Sequence, residues 1–468
     1  MALAALFIFS TGLFSLWFSI LFLIYFIESA VFFRQFLSKS FKKPVRTFKT
    51  IFLTFISFAV LSAFLFWVSL ALKDDSAALV YLLLFDILTP IIVSLAVLLA
   101  QPFFVLARNN TLKKAANKIK GFKNLTVVGI TGSYGKTSTK EFLATILSKK
   151  FKILKTHQHQ NSEIGIANCI LNELNQDHKV FIAEVGAYNK GKVKEVCSML
   201  KPKIGIVTGV NEQHLALFGS MEKLLSAEGG QELANILPED GFLVLNGDNK
   251  FSLDLYKRSD VNKKIYSINK DKIDLDIYTE NIEVAQDSIS FLVVDKNKHM
   301  AHFNVNVLGR HSAQNLLAAI LVAKELGMSL EEISDACRDI KQYQAGMVLK
   351  EGKYGIKIID SSYSANPDGV LTDLDYLSIF SGKKIIVMPC LIELGKKSSE
   401  VHEKIGRKIG QICDLAIITS KDKFKEIKKG AIESGMKERS IIFCENPDEI
   451  YSIITLFSKE GDAVLLEG

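Results

Sequence analysis

The six cysteines of this chain, Cys169, Cys197, Cys337, Cys390, Cys413 and Cys444, include no Cys-x-x-Cys pair. That excludes a zinc ribbon and a disulfide-stapled scaffold, and predicts reduced, mostly buried thiols in a cytoplasmic compartment. Charge of one sign is also in short supply. Lys and Arg number 57 against 50 Asp and Glu, a formal net charge of +7 over 468 residues. Much of the basic excess flanks apolar segments, which predicts a juxtamembrane bias and no nucleic-acid partner. The length allows two or three domains, each with its own core.

Charge is missing altogether from Ala2 to Ile27, enough helix to cross a bilayer core of roughly 30 Å. A signal peptide fits less well, because no basic stretch precedes the run and no small-residue cleavage site comes after it. Further apolar runs cover Ile51 to Leu72 and about Ala77 to Ala107, the last interrupted by Asp86, Pro90 and Pro102. Arg34, Lys39, Lys42, Lys43, Arg46 and Lys49 lie between the first two runs, and Lys73-Asp74-Asp75-Ser76 between the next two. Arg108, Lys113, Lys114, Lys118, Lys120 and Lys123 come after the third. The bias of basic residues toward the cytoplasm then predicts a multi-pass protein of the plasma membrane with its catalytic part in the cytoplasm. Three crossings with the N-terminus outside satisfy this pattern, and two crossings plus a re-entrant piece stay open. Glu28 reads as an interfacial residue. Asp86 faces either another helix or a lipid or partner site.

Beyond Lys123 the sequence is richer in chemistry. Thr126-Val127-Val128-Gly129-Ile130 reads as a buried strand and leads into Thr131-Gly132-Ser133-Tyr134-Gly135-Lys136-Thr137-Ser138. Phe142, Leu143, Ile146 and Leu147 then recur at helical spacing. Strand, glycine-rich turn and helix start are the setting in which backbone N–H groups cradle phosphate. Gly132, Ser133, Gly135 and Ser138 shape the cradle, Lys136 neutralises the β- and γ-phosphates, and the Thr137 hydroxyl ligates Mg²⁺. ATP binding is the firmest expectation, although Ile130 stands at the first glycine position of the strict motif.

Glu184, at the end of the strand-like Val180-Phe181-Ile182-Ala183, is a candidate Mg²⁺ ligand. His214 comes after the apolar run Ile204 to Thr208, and a lone histidine of this kind is ordinarily structural. Asp360 ends the strand Ile356–Ile359, where open α/β sheets place ligands. Further strands are expected at Lys384–Met388, Leu415–Thr419, Ser440–Phe443 and Ala463–Leu466, alternating with helices.

In order and spacing, several segments resemble the Mur ligase family from about Thr126 to Glu467. They are the Thr-Gly-x-x-Gly-Lys-Thr loop, Asn161–Gly165, Glu184–Gly186, Thr208–His214, Phe218–Ser220, Gly309–His311 with Asn315, Asp360–Pro367, and Glu393–Gly395 with His402. The resemblance is strongest to members that add D-alanyl-D-alanine to a muramoyl tripeptide. Together with the apolar runs, it leads to an α/β reading: N-terminal transmembrane helices (1–110) read from those runs, a P-loop-type, mainly parallel ATPase domain (111–345) and a Rossmann-like domain (346–468). The resemblance also implies an active site in the cleft between the two soluble domains, with domain closure over ATP. The implied activity is ATP-dependent amide-bond formation through an acyl phosphate, with ATP and Mg²⁺ as cofactors. The implied partners are D-Ala-D-Ala, a UDP- or lipid-linked muramoyl peptide, and cell-wall synthesis proteins in the membrane. A related ligase resembling those for cyanophycin or folylpolyglutamate, or a membrane NTPase without ligase activity, stays open. By the same resemblance Asn315 contacts adenine, Asp360 the ribose, and Thr137, Glu184, His214 and Glu228 the metal, with Lys136, His214 and Glu228 catalytic.

The chain also departs from that family. No uridine-nucleotide-binding domain is evident. Gly346-Met347 stands for a Gly-Arg, Ser312 and Ser364 for asparagines, and Pro389-Cys390 for a Gly-Asp. The family generally runs a few residues beyond the position of Gly468. Where it has an Ala-Lys whose lysine is carbamylated, this chain has Ala227-Glu228. A glutamate offers the same anionic oxygens but falls roughly 3–4 Å short. Gly229 and Gly230 are expected to recover that reach.

Overall fold

The computed structural model describes residues 14–37, 46–71, 75–157, 160–271, 274–363 and 365–468. Residues 2–13 of the first apolar run, Lys39, Lys42, Lys43, Lys73, Asp74 and Ser364 lie outside them. The chain divides into two compact units between Ala107 and Arg108.

The first unit is helical, with helices Phe14–Leu37 and Phe48–Ala71 and a third that begins at Asp75. That third helix runs to Lys120 with Pro90 and Pro102 inside it, so the prolines do not end the helix. Each proline removes one backbone donor, but the apolar sequence is helical on both sides. Near Pro90, the hydroxyls of Thr89 and Ser94 bond back to the carbonyls of Phe85 and Pro90. Among the described residues, two helices, Phe48–Ala71 and Val80–Lys120, are long and apolar enough to cross a membrane, by length and composition only. Three crossings were expected.

The second unit holds two sheets. The larger contains β1 (Thr126–Thr131), β2 (Ile153–Lys155), β3 (Val180–Glu184), β4 (Ile204–Val207), β5 (Phe242–Asn246), β6 (Lys263–Ser267), β7 (Ile277–Val284), β8 (Ile289–Asp295) and β9 (Met300–Val305). Their order is β2-β3-β1-β4-β5-β6-β7-β8-β9. Pairing is parallel as far as β7 and antiparallel through β8 and β9. The central strands are apolar on both faces, as a sheet covered by helices on both sides requires. Val128 and Ile130 enter one core and Val127 the other.

β1 leads out to β2 on one side, whereas β4 leads to β5 on the other. The loops after β1 and β4 therefore diverge from neighbouring strands at a topological switch point, where such sheets bind ligands.

The second sheet contains β10 (Val348–Glu351), β11 (Lys357–Ser361), β12 (Lys384–Met388), β13 (Leu415–Ile418), β14 (Ile441–Phe443) and β15 (Ala463–Glu467). Their order is β10-β11-β15-β12-β13-β14, and the β10–β11 pair is antiparallel. The five strands expected here all form. β10 is added at the edge.

Candidate active site

The loop after β1 is shaped by its glycines. Gly132 (φ 138) and Gly135 (φ 73) both adopt positive φ, the region open to glycine at little cost. Gly132 lies close to Thr208 and Gly209 of the loop after β4, and a Cβ there would sit 2.9 Å from the Gly209 carbonyl. The Ser133 N–H donates to that same carbonyl at 2.8 Å. The two loops of the switch point are thus zipped together.

Gly135 caps helix Lys136–Leu147, whose first-turn N–H groups have no helical partners and favour an anion. Lys136 folds back so that its ammonium donates to the carbonyls of Gly132 and Ser133. That places its charge over the loop. Thr137 Oγ1 donates to Glu184 Oε2 at 3.0 Å. Ser138 is turned away, its hydroxyl donating to the Ala345 carbonyl at 3.1 Å.

Glu184 ends β3, beside β1 in the sheet. Its Oε2 also accepts from the Lys140 ammonium at 3.3 Å, and its Oε1 from Asn161 Nδ2 at 3.2 Å. Lys140 is fully buried and also faces Glu141 at 3.5 Å. Sequence reasoning passed over it, because a lysine one turn after Lys136 reads as a solvent-facing helix residue. The one available signal was its place among the apolar residues of that helix.

His214 and Glu228 meet as a second pair. Helix Met221–Ala227 ends at Glu228, where a Cβ on Gly229 would lie 2.7 Å from the Leu225 Cα. Only glycine allows this close return of the chain. Glu228, 1% exposed, accepts from the Ser133 hydroxyl at 2.7 Å through Oε2. Its Oε1 lies 2.8 Å from His214 Nδ1. Glu228 thus reaches the Ser133 hydroxyl of the loop after β1.

Asn315, on helix His311–Glu325, is 7% exposed and abuts Gly135, where a Cβ would collide with its amide. Asp360 lies at the end of β11. The Lys350 ammonium and the Ser362 hydroxyl hold its carboxyl below the usual range. Three residues on, Tyr363 hydrogen-bonds to Thr137, and burial, with the nearby Glu184 carboxylate, pushes its phenol up. The β11 exit therefore touches the phosphate loop. The segment after it reaches the loop that leaves β4: Asn211 Nδ2 donates to Asn366 Oδ1 and Asp368 Oδ2, both at 3.1 Å.

The metal candidates form two pairs, Thr137 with Glu184 and His214 with Glu228. Among the described residues, no group of three His, Cys, Asp or Glu could hold a metal ion. The Thr137 hydroxyl and Glu184 carboxylate still fit Mg²⁺, a hard cation usually bound by one or two protein oxygens together with phosphates and water.

Comparison with known proteins agrees with this geometry. The Mur ligase middle domain matches residues 130–323, and the Mur ligase glutamate ligase domain matches residues 347–468. A curated relative, the UDP-N-acetylmuramoyl-tripeptide--D-alanyl-D-alanine ligase of Buchnera aphidicola subsp. Baizongia pistaciae, is 30% identical over 310 residues, covering 65% of each chain. This chain thus spans just under two thirds of that relative's length. Among solved structures, MurF from Acinetobacter baumannii aligns with TM-score 0.69 and 22% identity over 77% of both chains. The MurF ligase from Thermotoga maritima, a complex with ADP, aligns with TM-score 0.66 and 25% identity over 77% of this chain and 80% of that one.

The expected multi-pass location in the plasma membrane is corrected here. The curated relatives are ligases named for a UDP-linked substrate. The apolar unit offers two helices that qualify by length and composition alone. Among the described residues these findings do not support the expected three-crossing, multi-pass location. With both family domains matched in order and covering more than half of its length, the chain belongs to the Mur ligase family.

Proposed function

We propose that this chain is an ATP-dependent ligase that joins D-alanyl-D-alanine to the free carboxylate of a muramoyl tripeptide. The observation that carries this reading is the convergence of two cradles on one phosphate loop. Thr137 anchors it to Glu184, and Ser133 anchors it to Glu228, whose other oxygen contacts His214. Residues 111–345 act as the ATP-binding domain and 346–468 as the domain that closes the cleft.

The tripeptide carboxylate attacks the γ-phosphorus of ATP, and ADP leaves with the electron pair of the broken P–O bond. The amine then attacks the acyl carbon of the acyl phosphate. Inorganic phosphate departs; the nitrogen, which arrives as an ammonium, gives up one proton to solvent before the attack and a second as the amide forms. Little covalent work falls to the protein, whose part is positioning and charge neutralisation. Lys136 and the helix-start N–H groups hold the β- and γ-phosphates. Thr137 and Glu184 would hold Mg²⁺, which when bound neutralises phosphate oxygens. His214 and Glu228 offer nitrogen and oxygen ligands for a second ion beside Ser133. Asn315 and the Asp360 turn receive the adenosine.

The test is phosphate release by the full chain. It should require the muramoyl tripeptide and D-Ala-D-Ala together. Comparing UDP-linked with lipid-linked tripeptide identifies the carrier. ATP hydrolysis indifferent to both substrates would reject the ligase reading in favour of a plain NTPase, and stimulation by a different amine would reassign the substrate.

A further inference from the structure

The loop that leaves β12 is held with unusual care. The Cys390 N–H donates to Ser420 Oγ at 2.7 Å, and the Leu391 N–H donates to His402 Nε2 at 2.8 Å. His402 is fully buried, and its Nδ1 donates to the Ser398 carbonyl at 2.6 Å. That assigns the proton to Nδ1 and leaves Nε2 as the acceptor. Burial lowers the ring's pKa, which keeps it neutral for this job. At the tip, Glu393 adopts φ 67, a left-handed conformation that costs a non-glycine residue. Its carbonyl accepts from the Ala216 N–H at 2.8 Å. The loop of the second sheet is thereby fastened two residues from His214.

This fastening aims the Glu393 carboxylate at the site. Oε2 lies 3.9 Å from His214 Nε2, and the side chain stays 33% exposed. The other carboxylates around the phosphate loop are already engaged. Glu184 serves Thr137, Lys140 and Asn161, and Glu228 serves Ser133 and His214. Among the described residues, Glu393 makes no side-chain hydrogen bond. It is an anion with unused acceptor capacity, held at the junction of the two sheets by a strained backbone.

Resting on the ligase reading above, we propose that Glu393 receives the ammonium end of the incoming amine. A dipeptide with a free amino terminus arrives as a cation, and the site otherwise gathers donors for anionic phosphates. A carboxylate beside them with free acceptor sites supplies the charge complement and orients the nitrogen toward the acyl carbon. Glu393 is thus a binding and positioning residue for the second substrate.

The experiment is steady-state kinetics of the full chain with Glu393→Gln and Glu393→Asp. For Glu393→Gln the KM for D-Ala-D-Ala should rise at least tenfold, while the KM for ATP moves less than twofold. Glu393→Asp should recover part of the loss, because the charge is retained. An unchanged amine KM would overturn the proposal. So would a rise in Mg²⁺ requirement without a change in amine KM, which would make Glu393 a metal-side residue. If the wild-type chain itself fails to consume D-Ala-D-Ala, the ligase reading has failed, and that outcome is seen before any variant is made.

Discussion

Ser133 of the phosphate loop and Glu228, ninety-five positions later, share a buried hydrogen bond of 2.7 Å. A carboxylate that is 1% exposed is thus built into the loop meant for phosphate. Like charges so close repel unless a cation stands between them. A metal ion beside His214, which contacts the other oxygen, is the available neutraliser.

Glu228→Gln should therefore raise the Mg²⁺ needed for half-maximal activity and lower turnover by roughly tenfold or more. A magnesium titration of both proteins is the measurement. Activity of the wild type should be indifferent to removal of bicarbonate and CO₂, since this carboxylate needs no carbamylation. An unchanged Mg²⁺ dependence in Glu228→Gln would sink the assignment.

Lys136→Ala should abolish ATP turnover, a loss of at least about 100-fold. Its ammonium bonds to loop carbonyls and is not part of the packed core, so the fold should survive. Turnover within a few-fold of wild type would move the nucleotide away from this loop, and an unchanged melting curve would confirm intact folding.

Lys140→Met should behave in the opposite way. Its side chain is 0% exposed and lies within 3.5 Å of both Glu141 and Glu184. Removing one partner of a buried ion pair leaves uncompensated charge, which typically costs about 3–5 kcal/mol. Denaturant unfolding should show a loss of that order. A loss below about 1 kcal/mol would mean that water reaches the site.

Glu467 predicts a pH effect. Burial, and then the neighbouring Asp373 carboxylate, raise its carboxyl well above the usual range. Glu467 Oε1, Asp373 Oδ1 and His311 Nδ1 are all buried without a hydrogen-bond partner among the described residues. The folded chain then binds this proton more tightly than the unfolded one. Its contribution to stability is complete below about pH 4.3, the ordinary glutamate value, and is lost as pH rises toward the folded value. Glu467→Gln should consequently gain stability relative to wild type as pH is raised from about 4 through neutrality. Parallel urea-unfolding curves for the two proteins across that range would refute this.

The parts legible in the sequence were those fixed locally. Strand, glycines and helix around Gly132 to Thr137 are contiguous, so their pattern survives without tertiary knowledge. Five strands of the second sheet announced themselves by β-branched runs. β10 did not, since Val348–Glu351 is short and half polar and becomes a strand only by pairing with β11. The antiparallel arm β7–β9 was equally silent in a sequence read as mainly parallel. The prolines left a re-entrant piece open, and the helix Asp75–Lys120 carries both without ending. In the site, a carboxylate at a strand end pointed to Glu184, whereas only the family resemblance pointed to His214. Glu228 was singled out as a metal candidate, but its pairing with Ser133, the burial of Lys140 and the fastening of Glu393 depend on contacts between segments far apart in sequence.

The placement of β15 bears on how the protein is made. It lies between β11 and β12, pairing in parallel with both. Until residues 463–467 have been synthesised, β11 and β12 have no shared neighbour and the second sheet is two fragments. The nine-stranded sheet ends at β9, so all of its strands have emerged more than 150 residues earlier. On the ribosome the phosphate loop is thus ready well before the second sheet is complete, and the half-made sheet exposes unpaired strand edges at the moment of greatest aggregation risk.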